Sequence, residues 1–296
     1  MIATQRRKPG LSRPFTPTAQ TPSAPVPGGD PVLWATEKLH FTPDPLQAEI
    51  LSAPEPNLIL CCTRQFGKST ITAIKALHHA LSRPNACVLV AAPTERQSAE
   101  WILKTRAFLR TLGIRPRTDS VSRFSLLLPN ASRIIGLPGV APTTRGFSSA
   151  SLIIFEEAAF IRDDLFQSLS PSGARSNAAI WLISTPQSQT GFFYEAWHRS
   201  DAPNPESPGH RAASDSERVP NAPLLRRFQV TAADCPSISK DFLDRFRLNH
   251  GDAATRREFF CEFAASNEQV FDRDLLDAAL NPDFAPFNGG RPLWRD

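Results

Sequence analysis

Short apolar runs alternate with amphipathic stretches from about residue 58 onward, and that alternation bears directly on fold class. Leu58-Ile59-Leu60-Cys61-Cys62 is a continuous apolar run, which suits a parallel strand buried on both faces. Ser69 to Leu81 follows, with Ile71, Ile74, Ala76, Leu77 and Leu81 on one helical face. Val88-Leu89-Val90-Ala91 predicts a second strand, and Ala99 to Leu112 a second helix. Phe124 to Leu128 and Ser132 to Ile135 read as a strand pair around the turn Pro129-Asn130. Ser151 to Phe155 and Ala179 to Ser184 are two further apolar runs, each ending at polar residues. After them come a strand at Phe228 to Val230 and helices near Lys240 to Leu248 and Ala253 to Phe263. Strands alternating with helices predict an α/β fold, a mostly parallel sheet with helices on both faces.

Two segments fall outside this pattern. Residues 1–30 combine Gln5-Arg6-Arg7-Lys8 with a Pro/Thr/Ser/Gly stretch, too poor in apolar residues to offset ordering entropy, and predict a disordered basic tail. A polar, proline-rich stretch from Ser200 to Pro223 predicts a long loop. The remaining chain divides into a main unit over 31–225 and a smaller unit over 226–296. No apolar run approaches the roughly 20 residues a bilayer requires, and the N-terminus lacks the apolar core of a secretory signal. No membrane partner and a cytoplasmic location are therefore expected. Five cysteines without a C-x-x-C pair point to buried free thiols, not to a disulfide framework or zinc knuckle. The net charge of +4 suits a phosphate-rich partner without demanding one.

The strongest chemical signal is Cys62-Thr63-Arg64-Gln65-Phe66-Gly67-Lys68-Ser69. It fits the phosphate-binding pattern G-x-x-x-x-G-K-[ST], except that Cys62 stands at the first glycine position. A strand leads in and a helix leads out, so backbone N–H groups over Arg64, Gln65, Phe66, Gly67, Lys68, Ser69 and Thr70 can surround ATP phosphates. Lys68 would reach the γ-phosphate and the Ser69 hydroxyl would bind Mg²⁺. Without that context, Gly-Lys-Ser would be an incidental turn.

Leu152-Ile153-Ile154-Phe155-Glu156-Glu157 delivers two carboxylates at the end of an apolar strand, the end at which parallel α/β sheets bind ligands. Glu156 takes the Mg²⁺-coordinating position and Glu157 that of the general base. Taken alone, two acids opening a helix are ordinary. Ile180-Trp181-Leu182-Ile183-Ser184-Thr185-Pro186 ends a further strand in hydroxyls. Ser184 and Thr185 are candidates for sensing the γ-phosphate and coupling hydrolysis to movement, although Ser-Thr-Pro also simply terminates strands.

Together these residues resemble the large terminase subunit of tailed bacteriophages. Arg64-Gln65-Phe66-Gly67-Lys68-Ser69 is similar to its phosphate loop, and Glu156-Glu157-Ala158-Ala159-Phe160-Ile161 to its second motif. Leu137-Pro138-Gly139 and Arg145-Gly146 resemble the segment before that motif; Ser184-Thr185-Pro186 with Gly191-Phe192-Phe193-Tyr194 resembles the coupling motif. Pro43-Asp44-Pro45-Leu46-Gln47 looks like the adenine-recognising segment, with Gln47 as base contact. The resemblance covers about residues 34–275, including Cys235-Pro236, Phe242-Leu243 and Cys261-Glu262-Phe263.

The resemblance implies a P-loop NTPase of the additional-strand (ASCE) class that hydrolyses ATP to drive double-stranded DNA into a procapsid. It implies assembly as a homo-oligomeric ring on a portal protein, with a small terminase subunit as partner. Arg64 becomes a candidate for stabilising the transferring phosphate, and Arg145 a second. The family has Asp where Glu156 stands, and it continues into an RNase H-like nuclease. This sequence ends at Asp296, soon after Asp272 and Asp274, so no nuclease activity is expected of it. A helicase-like translocase sharing the ATPase core, and a prophage remnant that binds nucleotide or DNA without hydrolysis, are the alternatives. Arg226-Arg227 and Arg256-Arg257 are the basic pairs considered for DNA contact, against a default of solvated surface.

Overall fold

Strands that are apolar at every position need cover on both sides, and here they have it. The computed structural model describes residues 27–54, 56–117, 124–137, 139, 147, 149–199 and 225–264. Its centre is a seven-stranded sheet ordered β3-β4-β2-β5-β6-β1-β7. The strands are β1 (Leu58–Cys62), β2 (Cys87–Ala91), β3 (Ser125–Leu127), β4 (Arg133–Leu137), β5 (Leu152–Glu156), β6 (Ala179–Ser184) and β7 (Arg226–Val230). All pair in parallel except β3, which runs antiparallel to β4 at the edge.

Side-chain alternation divides the central strands between two cores. Leu58, Leu60, Val88, Val90, Leu152, Ile154, Trp181 and Ile183 face one side. There they meet α1 (Pro31–Leu39), α2 (Pro45–Ser52), α3 (Lys68–Ser82) and α4 (Glu95–Thr111). Ile59, Leu89, Ile153, Phe155 and Leu182 face the other, under α5 (Asp163–Leu169) and α6 (Phe192–Arg199). This two-sided burial explains the unbroken apolar runs.

Buried Asn57 pins the entry to β1: its Oδ1 accepts from Ile180 N at 2.9 Å, and its carbonyl accepts from Arg226 N at 2.9 Å. β1 is thereby registered against β6 and β7 together. The expected boundary between 225 and 226 is accordingly corrected, because Leu58–Cys62 pairs residue for residue with Arg226–Val230. β7 belongs to the main sheet; a strand signal shows that a segment is extended but not which neighbour it joins.

Four helices, α1, α2, α5 and α6, lie outside the sequence expectations. Each has nine residues or fewer, too short for a clear apolar period. Two more helices follow β7, α7 (Lys240–His250) and α8 (Asp252–Phe260). They pack through Phe242 and Phe246 against Phe259. Residues 1–26 of the expected tail, the expected loop at 200–223, Arg145-Gly146, Asp272 and Asp274 lie outside the described residues.

Candidate active site

The sequence-predicted site residues converge at the C-terminal ends of β1, β5 and β6. β1 ends at Cys62, fully buried and extended. The first position of the phosphate-loop pattern is thus still strand here, and it needs none of glycine's freedom. The left-handed turns fall later, at Gln65 (φ 65°) and Gly67 (φ 86°). Gly67 caps α3, whose first residues are Lys68 and Ser69. A Cβ at Gly67 would lie 3.2 Å from Gln47 Nε2, so the close approach of α2 also selects glycine.

Gln47 braces this loop. Asp44 and Gln47 form a reciprocal capping box at the start of α2, and Gln47 Nε2 donates to the carbonyl of Phe66 at 2.8 Å. The loop's other side rests on β7 and α8. Thr63 N donates to Val230 O at 2.7 Å, and Arg64 N donates to Glu258 O at 3.2 Å. The Arg64 guanidinium also pairs with the Glu258 carboxylate. That contact raises the pKa of Arg64 and turns its side chain toward α8. Glu258, which the sequence reading did not single out, stands 194 residues away in the chain, and no local signal marks it.

Lys68 is buried, and its Nζ lies 3.0 Å from Glu157 Oε1. Ser69 Oγ donates to Glu156 Oε1. The loop's cation and hydroxyl therefore each meet one of the adjacent carboxylates. Neighbouring residues on a strand point to opposite sides; both reach the loop because Glu157 leaves the strand in a left-handed conformation (φ 54°, ψ 47°). Ser184 is fully buried, accepts from Ala159 N at 3.2 Å, and makes a long 3.5 Å contact to Glu157 Oε2. Thr185 is buried beside it.

Burial dominates the electrostatics of Glu156. It pushes the carboxyl from 4.5 to about 7, against the opposing hydrogen bond from Ser69. Its Oε2 is buried without a hydrogen-bond partner. Adjoining it is a cavity of about 190 Å³ lined by Ser69, Glu156, Glu157 and the α4 residues Gln97, Glu100, Trp101 and Lys104. An orphaned carboxylate oxygen beside a serine hydroxyl is a hard-oxygen donor set, and it fits Mg²⁺.

The four arginines considered for DNA contact are engaged within the fold. Arg226 pairs with Glu49 at 3.1 Å and Arg227 donates to Trp197 O at 3.0 Å over that ring. Arg256 pairs with Glu262 at 2.6 Å, and Arg257 with Glu258 at 3.2 Å.

A phosphate loop after β1, paired carboxylates after β5, and the additional strand β6 between them define a P-loop NTPase of the additional-strand (ASCE) class. The family model described as terminase large subunit, T4likevirus-type, N-terminal, matches residues 59–278. The chain belongs to that family.

Among solved structures, the large terminase ATPase domain of Thermus phage P74-26 is similar, with a TM-score of 0.63 and 22% identity. The match covers 77% of this chain and 97% of that domain. The large terminase of a second thermophilic bacteriophage, in complex with ADP, matches with a TM-score of 0.59 and 13% identity. There the alignment covers 78% of this chain and 56% of the phage protein. The same large terminase in complex with ATP-gamma-S gives a TM-score of 0.54 at 12% identity, over 79% of this chain and 51% of that one. This chain thus spans about half of that second terminase. No curated protein sequence matches it. Among the described residues, no helix is long and apolar enough to cross a membrane.

Proposed function

We propose that this chain hydrolyses ATP and couples hydrolysis to translocation of double-stranded DNA into a viral procapsid, as the motor of a large terminase. The observation that carries the reading is the pairing of Lys68 with Glu157 and of Ser69 with Glu156 at the end of the sheet. The complexes of the thermophilic-phage terminase with ADP and ATP-gamma-S, and membership of the terminase family, support nucleotide and DNA as ligands.

In this reading the loop amides and Lys68 hold the phosphates. Ser69 and Glu156 would hold Mg²⁺, which when bound would supply charge neutralisation for the phosphates. Glu157 is the general base. Its partner Lys68 is drawn to the arriving γ-phosphate, which frees a carboxylate oxygen to accept a proton from water. Ser184 bridges Glu157 to the backbone of the turn Ala158–Phe160, so a change at the base is felt by that turn. Thr185 extends the same strand end. Gln47 retains one amide hydrogen for the adenine base. Arg64 must leave Glu258 before it can stabilise the transferring phosphate.

DNA contact in a packaging motor is with phosphates and not with particular bases. A ring on a portal protein, served by a small terminase subunit, is the corresponding assembly in the bacterial cytoplasm. The test is ATP turnover of the purified chain with Mg²⁺, with and without double-stranded DNA. Turnover that responds to DNA, and is lost in Lys68→Ala and Glu157→Gln, supports the motor. Nucleotide binding without turnover in every condition would favour the non-hydrolysing remnant.

A further inference from the structure

The cavity beside Glu156 has a second wall that the motifs do not account for. Gln97, Glu100, Trp101 and Lys104 line it from α4, at the i, i+3, i+4 and i+7 positions that share one helical face. Two buried polar atoms of lining residues lack hydrogen-bond partners, Glu156 Oε2 on β5 and Trp101 Nε1 on α4. Buried polar groups without protein partners face water or a ligand, and about 190 Å³ holds several atoms beyond a single water.

Charge narrows what fits. Three carboxylates, Glu100, Glu156 and Glu157, line the cavity. Among the described residues lining it, Lys104 alone carries positive charge. Glu100, four residues earlier, is its natural helical partner, yet the two form no ion pair, and Lys104 forms none with any other described residue. Lys68 reaches one of these carboxylates, Glu157, from the α3 side. Lys104 offsets part of the negative charge at Glu156, and its ammonium, in no ion pair among the described residues, suits an anion placed between the two helices.

We infer that Lys104 is a phosphate-contacting residue of the nucleotide site, meeting the γ-phosphate from the α4 side while Lys68 meets it from α3. This rests on the P-loop reading above. It makes α4 the third wall of the site and gives it a means of telling a triphosphate from a diphosphate.

The test is calorimetric titration of the full chain with Mg²⁺–ATP-gamma-S and with Mg²⁺–ADP, for the wild type, Lys104→Ala, Lys104→Arg and Lys68→Ala. One charge-assisted contact to the terminal phosphate predicts that Lys104→Ala weakens ATP-gamma-S by roughly tenfold to a hundredfold. ADP affinity should stay within about twofold, and Lys104→Arg should recover most of the loss. Equal weakening of both nucleotides would reduce Lys104 to a packing role, and no weakening of either would overturn the inference outright. Lys68→Ala separates the two readings, since it should weaken both nucleotides whatever Lys104 does. If it weakens neither, or the wild type binds neither, the P-loop reading itself fails and the inference falls with it.

Discussion

Replacing Glu156 with Gln removes a carboxyl group that the fold buries at an electrostatic cost. Its pKa rises from 4.5 to about 7, with burial as the largest cause. A group whose folded pKa is raised supports the folded state fully below its unfolded pKa. That support is lost as pH climbs through the folded value, here over the window from about 4.5 to about 7. Near pH 8 the ionised carboxylate therefore opposes folding by about 3 kcal/mol, and at pH 5 by less than about 1 kcal/mol. The neutral amide of Gln keeps an acceptor for Ser69 and carries no such penalty. Glu156→Gln is expected to unfold at a higher urea concentration than the wild type at pH 8, by about 3 kcal/mol without Mg²⁺. Near pH 5 the advantage should shrink by about 2 kcal/mol or more. Nucleotide with Mg²⁺ should narrow the gap by stabilising the wild type more than the variant, through mass action on the folded state. A stability difference that is the same at pH 5 and pH 8 would refute the reasoning, because it would place the effect in packing instead of charge.

Three further substitutions probe the loop, its Glu258 support and the close packing after β4. Gly67→Ala forces a left-handed alanine against Gln47 Nε2 at 3.2 Å; thermal melting should show a loss of about 1–2 kcal/mol, and an unchanged midpoint would mean the loop relaxes freely. Gly139→Ala places a Cβ 2.2 Å from the backbone oxygen of Pro93, a clash with no flexible side chain to yield. A loss of about 3 kcal/mol or more is expected on denaturant unfolding, and a near-neutral variant would contradict that approach. Glu258→Ala removes the carboxylate from Arg64. Because Arg64 is more than half exposed, solvent screening limits the loss to about 1 kcal/mol. Faster amide hydrogen exchange at Arg64 is the sharper readout, and unaltered exchange would show that the loop does not depend on this side chain.

The buried strands are legible in the sequence because a parallel sheet covered on both faces writes unbroken apolar runs, as at Leu58–Cys62 and Leu152–Phe155. The places of Lys68, Ser69, Glu156, Glu157, Ser184 and Thr185 are legible because each stands at a strand end or helix start in a local pattern. α2 also carries a local signal: Asp44, Pro45 and Gln47 spell an N-cap, a first-turn proline and the third residue of a capping box. What stays hidden is non-local. No window of sequence shows β7 joining β1, Glu258 facing Arg64, or burial raising Glu156. The α4 wall is masked differently, since Gln97, Glu100 and Lys104 read as an ordinary solvated helix face.

The position of β1 has a consequence for synthesis on the ribosome. Its two neighbours are β6 and β7, and the contact from Asn57 to Ile180 already spans 123 residues of sequence. Strand pairings of such long reach are slow to close and come late. The nascent chain can lay β2 beside β4 and β5 early, but the slot for β1 gains its first wall only when Ser184 has emerged and its second only when Val230 has. Until then the segment from Leu58 to Cys62 is an exposed apolar strand seeking an edge, and the loop after it has nothing to hold its shape. Nucleotide binding should thus appear abruptly during translation, near completion of β7, and that interval is when the chain is most open to aggregation or to capture by a chaperone.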